Sequence, residues 1–524
     1  MRNRESLTAL PWLLGGAALT ALTLIFPIVG ILEWGGLILL LIGVYRLCEN
    51  AACKKKTAYV YGFCTVYFYY FILYHWFLNL YPLDFIGMDN AASAVVVCAG
   101  WFGLPLLQAI PGGLVFLVYR VLSRGELLDR APLARPFVFA GLWTVFEWSS
   151  TVGWTGVPWG RLALGQIKML PFLQSASLLG SYFVTFLMVS VAGLCAYAIL
   201  KRPRAVVASV LAGSIFAANL LFGAVSMALP RKGGESLRVA IVQGNIDSHE
   251  KWGSDSYRRT VEAYGELTRQ AAAEGAELIV WPETALPYDL SYENAPRKFI
   301  CELARECEVT MIVGALYYDE NDDYNALFLV EPDGTMREEF YAKRHLVPFG
   351  EYVPMREVIM TLIPPLAELS ALGDDLSAGE EAANFETRWG EIGSLICFDS
   401  IYEELTLESV REGAELMVIA SNDSWFSDSA GVYQHQGQAQ LRAIESGKYV
   451  VRAANTGIST VLSPKGEVME WIDPLEAGYR VADVEMREGR TLYGAVGNLI
   501  VYCSMLALAG LLTAELVMKK KKQK

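Results

Sequence analysis

From residue 8 to residue 45 the chain carries a single charge, Glu33. As one helix, at about 1.5 Å per residue, this run would be nearly twice as long as the ~30 Å hydrocarbon core of a bilayer is thick. It therefore reads as a helical hairpin turning near Pro27–Gly30, in or against a membrane. Further apolar runs cover residues 57–80, 91–119, 136–150, 171–200, 205–229 and 493–516, which makes eight expected spans. Composition agrees: 53% of the 524 residues are hydrophobic and 19% are charged, against about 25% charged in soluble proteins. A cleaved signal peptide is not expected, because the first run lacks a small-residue cleavage site and continues into a second.

Charge divides the chain further. Residues 231–490 contain 47 Asp+Glu and 23 Lys+Arg, whereas the remainder contains 9 and 20. The acidic stretch would repel phosphates, so nucleic-acid binding is excluded. Apart from Arg46, Lys524 and the Arg161 and Lys168 of the 151–170 loop, the basic residues outside 231–490 fall in short clusters beside the spans: Arg2 and Arg4; Lys54, Lys55 and Lys56; Arg120, Arg124, Arg130 and Arg135; Lys201, Arg202 and Arg204; and Lys519–Lys522. All these clusters lie on one side if seven spans precede residue 231 and one follows residue 490. Because such clusters stay in the cytoplasm, both termini are expected inside and residues 231–490 outside. The expected domains are 1–230 (seven spans), 231–490 (a polar domain) and 491–524 (the eighth span and lysine tail). Glu33 and Glu147 are expected to snorkel to water at outer span ends.

The nine cysteines form no CxxC pair and no disulfide framework. Six lie in or beside apolar runs and are expected to be small buried hydrophobes. The four histidines lack zinc-ligand spacing, so no metal is expected. His345 and His435 are expected to be hydrogen-bonded structural residues.

Residues 231–490 read as an α/β domain. Near-continuous apolar strands are expected at 237–245, 276–283, 309–318, 326–334, 392–399, 414–423 and 449–457. Helical patterns lie at 253–274, 293–307, 401–412 and 433–447, and turn signals at EPDG and SPKGE. Strand 276–281 delivers Pro282–Glu283, strand 392–396 delivers Cys397, and strand 414–420 delivers Ser421–Asn422–Asp423. Ligands in open α/β sheets sit beyond the carboxyl ends of strands, so these tips mark a candidate site. A Cys at such a tip is a nucleophile if a base takes its proton and a cation supports its thiolate. Glu283 offers the base, and Lys343, after a hairpin, offers the cation, which can also hold an oxyanion.

The segments VQGNI, WPETALP, KRHLVPFGEYVP, LICFD and SNDSWF, in this order, resemble the nitrilase (carbon–nitrogen hydrolase) superfamily. Together with the eight spans they resemble the apolipoprotein N-acyltransferase family. The resemblance implies a polytopic α-helical membrane domain plus an extracytoplasmic α-β-β-α sandwich. It implies Glu283 as general base, Lys343 as catalytic lysine and Cys397 as nucleophile, with Glu351 as a supporting carboxylate. It also implies Trp252 near the acyl-chain entrance. Phe398–Asp399 stand where the family often has Tyr–Glu. Trp425–Phe426 and the apolar stretch 353–372 are candidate membrane-facing tips, with a core helix as the alternative for the latter. The implied reaction is ping-pong transfer of a fatty acyl chain from a phospholipid to the α-amine of a diacylglyceryl-modified apolipoprotein, through a cysteine thioester. It needs no cofactor, and a monomeric, multi-pass protein of the bacterial cytoplasmic membrane is expected. A membrane-tethered amidase hydrolysing a small C–N substrate uses the same chemistry, although one span would anchor it. A transporter would need polar residues inside several spans.

Overall fold

The structure, a computed structural model, describes residues 8–26, 30–83, 88–230, 233–246, 256–362 and 375–523. They form two compact units, Met1–Leu78 with Val96–Leu229 and Val496–Lys524, and Asn79–Val95 with Pro230–Ala495.

The first unit is helical: α1 (Leu10–Ile25), α2 (Gly30–Cys48), α3 (Lys55–Leu73), α4 (Asn90–Leu122), α5 (Arg135–Ser149), α6 (Ser181–Ile199) and α7 (Ala205–Ala228), with α12 (Leu499–Gln523) at the end of the chain. Among the described residues, five helices are long and apolar enough to cross a membrane by length and composition: α2, α4, α6, α7 and residues 499–522 of α12. The remaining three fall in the expected runs, but α1 has 16 residues and α5 has 15, while α3 is rich in tyrosine and begins with two lysines. Small residues bring helices together. A Cβ on Gly16 of α1 would lie 2.4 Å from the Leu40 nitrogen of α2, so only glycine permits this approach. Outward faces are apolar, with Val206, Val210, Leu221, Leu506 and Leu516 exposed.

Two expectations fail here. Glu33 and Glu147 are buried inside the helical unit rather than reaching water. Glu33 accepts from Gln166 Nε2, and Glu147 accepts from Leu162 N at 3.0 Å and Thr185 Oγ1 at 2.7 Å. The segment between α5 and α6 folds back as short 3-10 turns, and its polar groups supply partners that water would otherwise provide. Of the six cysteines expected to be buried, Cys48 and Cys53 are, Cys195 is half-buried, and Cys64, Cys98 and Cys503 are exposed. In an apolar solvent a helix does not have to hide its small hydrophobes.

The second unit carries two six-stranded sheets. The first runs β12 (Gly478–Glu485), β1 (Ser236–Gln243), β2 (Leu278–Val280), β3 (Thr310–Tyr318), β4 (Asp323–Val330) and β5 (Met336–Ala342). The second runs β11 (Val468–Ile472), β10 (Ser459–Leu462), β9 (Val450–Ala454), β8 (Leu416–Ser421), β7 (Gly390–Ile396) and β6 (Phe385–Thr387). Each has a parallel centre, β1-β2-β3 or β7-β8-β9, flanked by antiparallel strands. β1 packs on β9 and β10, and β4 and β5 pack on β7, so the sheets lie face to face. Helices α8 (Ser256–Ala273) and α9 (Ala295–Cys307) cover the first sheet, and α10 (Glu403–Arg411) and α11 (Ala430–Ser446) the second. This α-β-β-α layering explains the unbroken apolar strands. Ile279 and Trp281 meet the helical layer, alternate residues such as Leu278 and Val280 turn inward, and all four are fully buried. EPDG and SPKGE form the β4–β5 and β10–β11 turns, closed by Gly334 N to Glu331 O at 2.9 Å and Gly466 N to Ser463 O at 2.8 Å.

Candidate active site

Four chemical groups arrive just past the ends of strands. β2 is followed by Trp281–Pro282–Glu283, β5 by Lys343, β7 by Cys397 and β8 by Asn422–Asp423. The Glu283 turn lies directly on β3. A Cβ on Gly314 would be 2.2 Å from the Pro282 oxygen and 2.8 Å from Glu283 Cα, so glycine is what lets the turn sit there.

Lys343 is 1% exposed and Glu283 5%, which makes their pairing obligatory. Lys343 Nζ lies 2.8 Å from Glu283 Oε1 and 2.8 Å from Glu351 Oε1. Asn325, on β4, donates from Nδ2 to the same two oxygens at 2.7 and 3.0 Å. Glu351 Oε2 accepts from Val347 N at 2.8 Å, which ties the PFGEYVP loop to the site. Two carboxylates facing one ammonium leave a net negative charge. Burial works against the Lys343 charge, but Glu283 and Glu351 more than offset it and hold its pKa well above the ordinary lysine value.

Cys397 heads a short helical turn with φ +48°, a left-handed conformation uncommon for a residue with a side chain. Burial pushes its thiol well above the ordinary cysteine value, and the Glu283 charge pushes it further. Lys343 and a hydrogen bond from Ser421 pull the other way without overcoming them. The resting group is therefore a thiol, not the cation-stabilised thiolate that residue types alone suggest. It has to be deprotonated as it attacks, and Glu283 is the carboxylate acting on it most strongly.

Asp399 is fully buried and binds two strand ends at once. Its Oδ1 accepts from His345 N at 2.7 Å, and its Oδ2 from Tyr341 Oη at 2.9 Å and Ile396 N at 3.1 Å. It thus clamps the segment carrying Lys343 to the turn carrying Cys397. Phe398 is half-buried against Tyr402, with ring centroids 5.4 Å apart. His345 also stacks on Tyr402, at 4.0 Å, but its Nδ1 has no hydrogen-bond partner, contrary to expectation. Trp425 and Phe426 form a half-buried turn after Asp423, and the Phe426 ring faces His435 at 6.2 Å. Trp252 lies outside the described residues, as do residues 363–372 of the apolar stretch. The described part of that stretch includes the helix Arg356–Leu362, beside which Met355 is exposed, as is Val358 within it.

Residues 238–492 match the carbon-nitrogen hydrolase family, and residues 8–194 match the apolipoprotein N-acyltransferase N-terminal domain. The apolipoprotein N-acyltransferase of Geobacter metallireducens is 33% identical over 77% of this chain and 77% of its own. That of Gloeobacter violaceus is 32% identical over 98% of this chain and 95% of its own. The chain belongs to the apolipoprotein N-acyltransferase family.

Sequence reasoning missed one residue in this N-acyltransferase family site. Asn325 sits in an apolar strand, DYNALFLV, and a lone buried amide there is the signal that could have found it. The Asp399 clamp also gives a measurable pH dependence. Burial raises its pKa to about 6, above the ~3.9 of an unfolded aspartate. The folded state then holds this proton more tightly, so the group's contribution to stability is complete below about pH 4 and is lost as pH rises through about 6. Between pH 4 and 6.5, the melting temperature of the wild type in detergent should fall relative to that of Asp399→Asn. A difference that stays constant over that range would contradict this assignment.

Proposed function

We propose that this protein transfers a fatty acyl chain from a membrane phospholipid to the α-amine of a diacylglyceryl-modified apolipoprotein, by a ping-pong mechanism. The observation that carries the reading is the buried Glu283–Lys343–Glu351 cluster acting on the Cys397 thiol in a chain of this family. Glu283 takes the thiol proton as Sγ attacks the ester carbonyl. Lys343 and the backbone N–H after Cys397 hold the oxyanion. The carbonyl re-forms, the lysophospholipid leaves with the proton, and a thioester remains. The apolipoprotein amine then attacks the thioester and loses a proton to Glu283; the C–S bond breaks, the Cys397 sulfur takes that proton back as a thiol, and the product departs as an amide. Glu351 and Asn325 fix the cluster, and Asp399 aligns Lys343 with Cys397. Trp252, Trp425, Phe426 and the 353–372 stretch would meet acyl chains.

Eight spans, cytoplasmic termini and an extracytoplasmic catalytic domain over 231–490 belong to the same proposal. The five described helices long and apolar enough to cross a membrane support it, with three more helices in the other apolar runs and the basic clusters that the eight-span arrangement places on one side. A site that faces the outside of a bacterial cytoplasmic membrane, in a monomer, would meet both substrates within the lipid phase.

The test supplies vesicles of phospholipid with a diacylglyceryl-modified peptide and weighs the peptide. It should gain one acyl chain on its N-terminal amine. Release of free fatty acid with the peptide unchanged would favour a hydrolase. In cells, reporter fusions at residues 52, 128 and 203 should be cytoplasmic, and an outside signal at any of them would break the topology.

A further inference from the structure

A second buried network surrounds the nucleophile and plays no part in the mechanism above. Asp423, His435 and Arg452 come from the loop after β8, from α11 and from β9, and each is at most 1% exposed. Arg452 Nη2 donates to Asp423 Oδ2 at 2.6 Å, and Asp423 Oδ1 lies 2.9 Å from His435 Nδ1. His435 Nε2 lies 3.1 Å from Ser400 Oγ and 3.1 Å from the Cys397 carbonyl oxygen, to which Ser400 Oγ donates at 2.7 Å. The Cys397 sulfur, an Asp423 oxygen and a His435 ring nitrogen all lie within 4.8 Å of one another.

Burial and the Arg452 guanidinium lower the His435 pKa, which favours the neutral ring. Arg452 Nη2 also lies 3.2 Å from Nδ1. Because the one Ser400 hydroxyl proton goes to the Cys397 oxygen, Nε2 joins that carbonyl group as a second donor. Three elements thus converge on one carbonyl group, in a residue whose backbone is left-handed. A trans peptide is planar, with its C=O and N–H pointing in opposite directions. Fixing the Cys397 oxygen therefore aims the Phe398 N–H. That N–H heads a helical turn, where the first N–H groups have no partner within the turn.

We propose that His435, held by Asp423 and Arg452, is a positioning residue. Together with Ser400 it fixes the Cys397–Phe398 peptide so that the Phe398 N–H meets the oxyanion of the acyl-transfer intermediate. This rests on the acyl-transfer reading, and the test separates the two.

Two rates are measured on each variant. One is acyl loading of Cys397 from phospholipid vesicles. The other is alkylation of Cys397 by iodoacetamide, a displacement at carbon that forms no oxyanion; labelled peptides identify the site. A whole oxyanion donor is worth ~10²–10³-fold in rate. Loading in His435→Ala should fall by about 10–100-fold, with alkylation within about threefold of wild type. His435→Gln, which keeps a polar group at that reach, should recover much of the loss. Ser400→Ala, a change of one oxygen atom that leaves the packing intact, should show the same split if His435→Ala fails to fold. Equal losses in loading and alkylation, or loading unchanged in both alanine variants, would overturn the proposal. A wild-type protein that is alkylated but never loads acyl would instead remove the acyl-transfer reading.

Discussion

Cys397→Ala protein exposed to phospholipid vesicles should gain no acyl mass, while the wild type gains one acyl chain that hydroxylamine removes. The sulfur is the atom that forms the thioester, and the other cysteines of the acidic unit, Cys301 and Cys307, lie half-buried on α9. Cys301→Ala and Cys307→Ala should therefore load as the wild type does. Cys397→Ser should load at a rate lower by on the order of 10³-fold or more, the scale seen when a nucleophile is lost from a catalytic unit. The reason is specific to this site. Burial and the Glu283 charge already push the thiol upward, and a hydroxyl in the same place is far harder to deprotonate. An adduct that persists in Cys397→Ala, or a wild-type adduct that resists hydroxylamine, would remove the mechanism.

The second large effect is at the charge cluster, where Glu283→Gln and Lys343→Met should both slow loading severely but differ in stability. Glu283→Gln keeps the shape, and its amide oxygen can still accept from Lys343 and Asn325. Loss of the base alone should lower loading by ~10²–10⁴-fold with little change in melting temperature. Lys343→Met leaves Glu283 and Glu351 buried side by side, sharing the Asn325 amide but without their cation. Stranding buried charges in this way costs about 3–5 kcal/mol, so this variant should also melt at a markedly lower temperature. Adding Glu351→Gln to Lys343→Met should restore part of that stability and none of the loading. Loading that survives in Lys343→Met would show that the ammonium holds the fold and not the oxyanion.

Much of this protein was legible in the sequence because the signals are local. A run with one charge from residue 8 to 45 has few homes outside a bilayer, and α1 and α2 fall where the hairpin reading puts them. Strand and helix periods, and the turn chemistry of EPDG and SPKGE, depend on residues a few positions apart. The chain's own reach accordingly determines that Glu283, Lys343 and Cys397 each come just past the end of a strand.

What the sequence could not determine are contacts whose partners lie far apart along the chain and whose net effect depends on burial. Lys343 meets Glu283 because β5 and β2 lie in one sheet with strands β3 and β4 between them. Asn325 and Glu351 join them from a third strand and a loop. The direction of the Cys397 shift followed from how much water the two facing sheets exclude, which no residue type reveals. The same holds for Asp399, which clamps two strand ends, and for Glu33 and Glu147, which are buried against a segment folded back between α5 and α6. Residue type and spacing determine which groups are available. Sheet register and exclusion of water decide which of them are charged, which are paired and which can react.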